Sequence, residues 1–73
     1  MRDNPSKHPY KLITSRPSHR GTASMYEDID AEFETYIVGF DLSTKGSQLV
    51  APRGSWQFDS REEAFDKLNE VTE

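Results

Sequence analysis

The clearest alternation of apolar and polar positions runs through residues 35–42, which are mostly β-branched or aromatic. This pattern predicts a strand with one buried face, and Gly39 on the other face indicates a bulge or a close backbone approach. The side chains expected to face the core are Tyr36, Val38, Phe40 and Leu42. Residues 43–46 predict a hairpin turn with Gly46 at the positive-φ position, and residues 48–51 predict the returning strand.

A further short strand and a helix are predicted to close the chain. Trp56 and Phe58 alternate with polar residues, which predicts either a third strand or a continuation of the second strand after a bend. Asp59 or Ser60 is the predicted N-cap residue, and Glu62 or Glu63 completes the capping box. The apolar stripe of this helix is Ala64, Phe65, Leu68 and Val71.

Two patterns compete in residues 24–34. Ser24 and Glu27 fit a capping box, and the apolar side chains behind them share one helical face: Tyr26, Ile29 and Phe33. The carboxylates also alternate with apolar residues, at Asp28, Asp30, Glu32 and Glu34. In a strand they would form a row about 7 Å apart, close to twice the axial spacing of phosphates along one DNA strand. We favour the short helix because it also accounts for Ser24.

Residues 1–23 are predicted to be a basic, largely disordered arm, because three prolines interrupt a segment rich in serine, threonine and charge. Residues 10–14 are an exception, since they are β-prone and mostly apolar. They are either an edge strand of the domain or an element that adds a strand to a partner's sheet.

The predicted fold is therefore a small α+β domain, residues 24–73, preceded by the arm. An antiparallel β-meander would be packed by a C-terminal helix and by the short preceding helix. With 73 residues and 33% hydrophobic content, such a domain has a small core and marginal stability.

Charge is sorted along the chain. Residues 1–20 contain five bases and one acid, whereas residues 21–73 contain four bases and twelve acids. A basic arm on an acidic body is typical of a protein that docks onto another macromolecule. Arg53 and Trp56 flank a Pro-Gly loop and belong to the residue types that dominate interface hot spots, although Trp56 would equally suit the core.

The candidate partner-binding residues follow from this charge pattern and from the β-prone segment. They are Lys7, Tyr10, Lys11, Leu12, Ile13, Arg16, Arg20 and Arg53. The basic members would also suit secondary contacts to nucleic-acid phosphates, with affinity that falls as salt rises.

Composition argues against several other functions. The chain has no cysteine, which excludes disulfides and thiolate chemistry, and it favours a reducing compartment. No apolar run approaches a membrane span, and no nucleotide-binding or hydrolase motif occurs. His8 and His19 make a poor metal site. We therefore expect a non-enzymatic monomer without a cofactor or metal.

The length, the charge layout and the opening MRDNPSKHPYKLI resemble the small RNA-polymerase-binding regulators of lytic phages, in particular one from a Xanthomonas phage. The resemblance covers the whole chain and rests on these general features rather than on a diagnostic motif. It implies a host-takeover protein of the bacterial cytoplasm that blocks transcription initiation by disturbing sigma-factor and promoter engagement. It also implies antitermination and a target on the large polymerase subunits near the RNA exit channel.

The residues also allow a second class of function. An acidic DNA mimic that inhibits a host nuclease or another DNA-binding enzyme is suggested by the carboxylates at Glu27, Asp28, Asp30, Glu32 and Glu34.

Overall fold

The computed structural model describes residues 9–73 and contains one four-stranded antiparallel sheet, a separate two-stranded ribbon and one helix. The strands of the sheet are β1 (Tyr10–Ser18), β2 (Gly21–Asp28), β3 (Tyr36–Phe40) and β6 (Ser55–Phe58). The other elements are β4 (Ser43–Lys45), β5 (Gln48–Val50) and α1 (Arg61–Val71). The sheet has the order β1-β2-β3-β6, and the ribbon pairs β4 with β5. This confirms the prediction of an antiparallel sheet packed by a C-terminal helix.

The core lies between one face of the sheet and α1, which contacts β2, β3 and β6. Alternate residues of the two central strands point into it, as a strand with period two requires. The buried members are Ala23, Met25, Tyr36, Val38, Phe40, Ala64 and Leu68. Ile13, Phe58, Phe65 and Val71 pack around them. The predicted helix stripe therefore faces the core.

Local signals define both ends of α1. Ser60 is the N-cap residue, and its hydroxyl accepts from the backbone N–H of Glu63 at 3.4 Å. At the other end, the backbone N–H of Thr72 donates to the carbonyl groups of Leu68 and Asn69. These bonds satisfy groups that the helix itself leaves unpaired.

The predicted helix at residues 24–34 is wrong. Ala23 and Met25 lie in β2, pair with Phe40 and Val38 of β3 and are fully buried, and β2 continues to Asp28. Burial against β3 therefore outweighs the local capping pattern. The alternative strand is also incomplete, because residues 29–35 form turns, bends and irregular backbone beyond the end of β2.

Residues 10–23 are not a disordered arm, because they form β1 and the start of β2. Of the two alternatives for residues 10–14, the structure has the edge strand. The predicted boundary between the arm and the domain, after residue 23, falls inside β2. Pro17 fits this arrangement, since an edge strand tolerates a residue without an N–H. The first eight residues of the proposed arm lie outside the described residues.

The chain leaves the sheet after β3. Asp41 has a φ of 57°, and Leu42 is buried apart from the core cluster, against Gly39 on the opposite face. Leu42 is therefore buried as predicted, but it does not lie beside Phe40 in the core cluster, because the backbone turn at Asp41 breaks the alternation. Gly46 has the predicted positive φ, at 61°.

Candidate functional site

Strand β1 lies at one edge of the sheet, with β2 on its inner side. Within residues 9–73 no strand pairs with its outer side, which therefore offers backbone groups to a partner strand. The register shifts between Leu12 and Thr14, so that Ile13 is the extra residue of a bulge. Such a bulge increases local twist, and it limits regular pairing along the whole edge.

The bulge separates the predicted contact residues of β1 into two environments. Ile13 packs against the core cluster, so it serves stability. Leu12 is 50% exposed and lies opposite Tyr26, while Lys11 is exposed and lies opposite Glu27. Tyr10 is partly buried at the start of the strand. The accessible part of this segment is therefore the pair Lys11 and Leu12, which point to opposite faces.

Arg16 links the edge strand to the helix. It lies opposite Ala23, whose side chain is in the core, and its guanidinium donates to the side-chain oxygen of Asn69 on α1. Arg16 lies five residues beyond Lys11, which corresponds to about 17 Å along a strand. The two cations therefore flank the exposed length of β1 without touching.

Arg20 and Arg53 are brought together at the end of the first hairpin. The Arg53 guanidinium donates to the backbone carbonyl of Arg20, and it lies 3.5 Å from an oxygen of Asp41. Its Cζ atom is also 5.7 Å from the centre of the Phe40 ring. Both partners of the ion pair are about half exposed, so its contribution to stability is small. The contacts mainly fix where the guanidinium stands.

A tight backbone approach positions the turn that carries Arg53. A Cβ atom on Gly39 would lie 2.8 Å from the carbonyl oxygen of Gly54, so only glycine fits at this position of β3. The turn is closed by a 3.0 Å bond from the backbone N–H of Gly54 to the carbonyl of Ala51. The close approach anticipated at Gly39 is therefore confirmed.

The structure thus places three of the predicted cations, Arg16, Arg20 and Arg53, toward the hairpin end of β1 and places Lys11 near its start. Lys7 lies outside the described residues. Arg16 is partly engaged by α1, whereas Arg20 and Lys11 have exposed side chains. We name four cations the basic margin: Lys11, Arg16 and Arg20 lie along the β1 edge, and the Arg53 guanidinium reaches the hairpin end of that edge from the turn before β6.

Trp56 occupies an intermediate position between the two roles considered for it. It is 40% exposed at the margin of the helix-covered face, and the Nζ atom of Lys67 lies 5.0 Å from its ring centre. This geometry suits a cation–π contact that covers the indole with the lysine stem. Trp56 is therefore a partly covered boundary residue rather than a central core residue.

Tyr36 joins the core to the acidic end of the sheet. Its hydroxyl donates to a carboxylate oxygen of Glu34 at 3.0 Å, and the Arg61 guanidinium carbon lies 5.9 Å from its ring centre. Burial and then the bond to Glu34 raise the pKa of the Tyr36 phenol above its usual value. The phenol therefore stays protonated and continues to donate this bond at neutral pH.

A small cavity of about 150 Å³ lies between the first hairpin and the end of α1. Its lining residues are Ser18, His19, Arg20, Glu70, Val71 and Glu73. Its volume is below the several hundred Å³ typical of small-molecule sites. Among the described residues, no group of three or more His, Asp or Glu side chains is placed to hold a metal ion.

Two exposed apolar residues were missed because the sequence assigned them to a helix stripe. Phe33 is 76% exposed and Ile29 is 53% exposed, both in the segment between β2 and β3. The spacing of Asp28 and Asp30 was the available signal, because Asp side chains often bond a backbone N–H two residues ahead in turns. The structure has this bond, at 3.1 Å.

Comparison of the chain with protein-family models, curated proteins and solved structures finds no match. In the part of the chain that the structure describes, no helix has the length and apolar character needed to cross a bilayer.

Proposed function

We propose that this chain is a non-enzymatic regulator that binds bacterial RNA polymerase and inhibits initiation at host promoters. Antitermination on the elongating enzyme is a second proposed activity. The proposal follows from the resemblance of the sequence to phage regulators of RNA polymerase. The protein would act in the cytoplasm of a bacterial host. The large polymerase subunits near the RNA exit channel are the proposed target.

The observation that carries the proposal is the open edge of β1 with cations along it. An exposed strand edge supplies backbone bonds to a partner strand, and alternate side chains supply specificity. Lys11 and Arg20 are exposed beside this edge, and Arg53 is held next to Arg20. These features favour docking onto an acidic protein surface or close to nascent RNA.

The positions of the carboxylates also bear on how the protein would dock. No lysine or arginine occurs between residues 21 and 44, whereas this stretch contains six acids. Most of them lie at the end of β2 and in the following segment, away from the hairpin that carries Arg20. A surface that attracts Arg20 and Arg53 at the hairpin end would therefore repel the acidic end, which restricts the docking orientation.

The test is the affinity of purified RNA polymerase for the intact chain and for two charge-reversal variants. Lys11→Glu changes the basic margin, and Lys45→Glu makes the same change on the exposed β4–β5 ribbon. We expect Lys11→Glu to weaken binding about 10-fold and to relieve inhibition of promoter-dependent transcription, with little effect from Lys45→Glu. Equal effects of both variants would show that only net charge matters.

Truncations must respect the fold. Deleting residues 1–20 would remove β1 and with it the packing of Ile13, so that loss of binding would report on folding. Deleting residues 1–8 leaves every described strand intact and removes Arg2 and Lys7. Comparing this truncation with Lys11→Glu separates the contribution of the preceding segment from that of the strand.

The DNA-mimic alternative depended on a regular row of carboxylates in a strand. β2 ends at Asp28, and the residues that would continue the row lie in turns and bends. The two-residue spacing that would imitate phosphates is therefore absent from residues 29–34. Polymerase binding remains the proposal that the geometry supports better.

A further inference from the structure

Residues 29–34, here named the acidic loop, expose apolar side chains that the core could have used. Phe33 is 76% exposed and Ile29 is 53% exposed. Burying such a side chain contributes to stability in proportion to its apolar area, and this chain contains only four phenylalanines. Two large apolar side chains exposed within one six-residue loop are a candidate interaction site, and aromatic side chains are enriched at interface hot spots.

Hydrogen bonds hold the acidic loop in shape. The backbone N–H of Asp28 donates to the carbonyl of Thr35 at 3.0 Å, which closes the base of the loop. The Thr35 hydroxyl donates to the carbonyl of Phe33 at 3.0 Å, and the Asp28 carboxylate accepts from the backbone N–H of Asp30. A loop whose backbone is already ordered loses less conformational entropy when it binds.

The charges around Phe33 specify the chemistry of its partner. The loop carries exposed carboxylates at Asp30, Glu32 and Glu34, and it contains no base. The antiparallel topology places the start of α1 near the same end of the sheet, where Asp59, Glu62 and Glu63 outnumber one base, Arg61. Nucleic-acid phosphates would be repelled here, whereas a basic protein surface would be attracted.

We propose that the acidic loop is a second docking element, which inserts Phe33 into an apolar pocket bordered by lysine and arginine on the partner protein. This inference rests on the proposed function, because it takes that partner to be RNA polymerase. A second copy of the chain fits less well. Pairing the acidic loop of one copy with the basic margin of another is head-to-tail, and such contacts extend into rings or open chains.

The experiment first measures the affinity of the intact chain for purified RNA polymerase and then compares matched variants. Phe33→Ser removes the anchor, and Val50→Ser makes a similar change at a 37% exposed position on the ribbon. We expect Phe33→Ser to raise the Kd about 30-fold, the size typical of an interface hot spot, with little change for Val50→Ser. Both sites are exposed, so both variants should fold.

The charge component is tested by a pair of neutralised variants. Asp30→Asn with Glu32→Gln should weaken binding and flatten its dependence on salt, because fewer charges face the basic rim. The control, Asp66→Asn with Glu73→Gln, removes the same charge from exposed positions on and beyond α1. Equal effects of the two pairs would refute the proposal that lysine and arginine residues of the partner border the pocket for Phe33.

The occupant is identified by placing a photoreactive phenylalanine analogue at position 33 and mapping the crosslinks by mass spectrometry. Crosslinks to a polymerase segment with lysine or arginine around apolar residues support the proposal. Crosslinks to nucleic acid, to an acidic segment or to a second copy overturn it. If polymerase binds and Phe33→Ser has no effect, the docking role of the acidic loop is refuted while the proposed polymerase binding stands. If polymerase does not bind, the proposed function and this inference both fail.

Discussion

The fit at Gly39 makes the sharpest prediction about the fold. A Cβ atom there would lie 2.8 Å from the Gly54 carbonyl oxygen and 2.8 Å from a methyl carbon of Leu42. The side chain of Leu42 can adjust, but the Gly54 oxygen belongs to the backbone. Gly39→Ala must therefore displace the turn that carries Arg53, or it must distort β3.

Two opposing effects set the size of this change. Overpacking a close contact costs about 1–3 kcal/mol, whereas replacing glycine by alanine restricts the unfolded chain and contributes about 0.4–1 kcal/mol in the other direction. Gly39 does not have a positive φ, so the second effect applies in full. The midpoints of these two ranges give a net loss of about 1.3 kcal/mol, which should lower the Tm by about 5–10 °C in a domain of this size.

Thermal unfolding followed by circular dichroism measures this shift. Ser55→Ala is the matched control, because Ser55 pairs with Gly39 and is exposed, and its effect should stay within about 0.5 kcal/mol. In a double-mutant cycle, Leu42→Ala should cost less stability in the Gly39→Ala background than in the parent, because it relieves one of the two collisions. A Gly39→Ala variant as stable as the parent would refute the close approach and the positioning of Arg53 derived from it.

Three further predictions concern the core, the helix cap and alkaline stability. Leu68→Ala should cost about 2–5 kcal/mol in chemical denaturation, because Leu68 is fully buried in the core cluster; full retention of stability would contradict this packing. Ser60→Ala should cost about 1 kcal/mol and reduce helical circular dichroism, since it removes the acceptor for Glu63; an unchanged spectrum and Tm would contradict the cap. The raised pKa of Tyr36 contributes stability below the phenol's ordinary pKa near 10, and this is lost as pH rises through the higher folded-state value. Urea titrations should therefore show a smaller alkaline loss of stability for Tyr36→Phe than for the parent, and identical losses would contradict the raised pKa, whose largest cause is burial of the phenol.

The elements with strong local signals were predictable. The helix combined a cap at Ser60 with a stripe at Ala64 and Leu68, and both features act within a few residues of the chain. The turn at Gly46 similarly depended on one residue's conformational freedom. Such signals do not require knowledge of distant partners.

Residues 10–34 were harder to predict because their structure depends on distant pairing. Ser24 and Glu27 satisfy a helix cap locally, yet β2 gains burial of Ala23 and Met25 against β3. Pairing with β2 likewise orders β1 despite Pro17. Local propensity differs between helix and strand by about 1 kcal/mol or less per residue, so long-range burial decides the outcome.

Local residue patterns are sufficient to predict the α+β composition, the closing helix, the turn at Gly46 and the contrast between a basic beginning and an acidic remainder. The three-dimensional packing was needed to show that β1 is an edge strand, that Ile13 faces the core while Leu12 does not, and that Arg53 contacts Arg20. It also left Phe33 in solvent. These outcomes depend on strand register and on which surfaces the small core can cover, and neither is encoded within a few neighbouring residues.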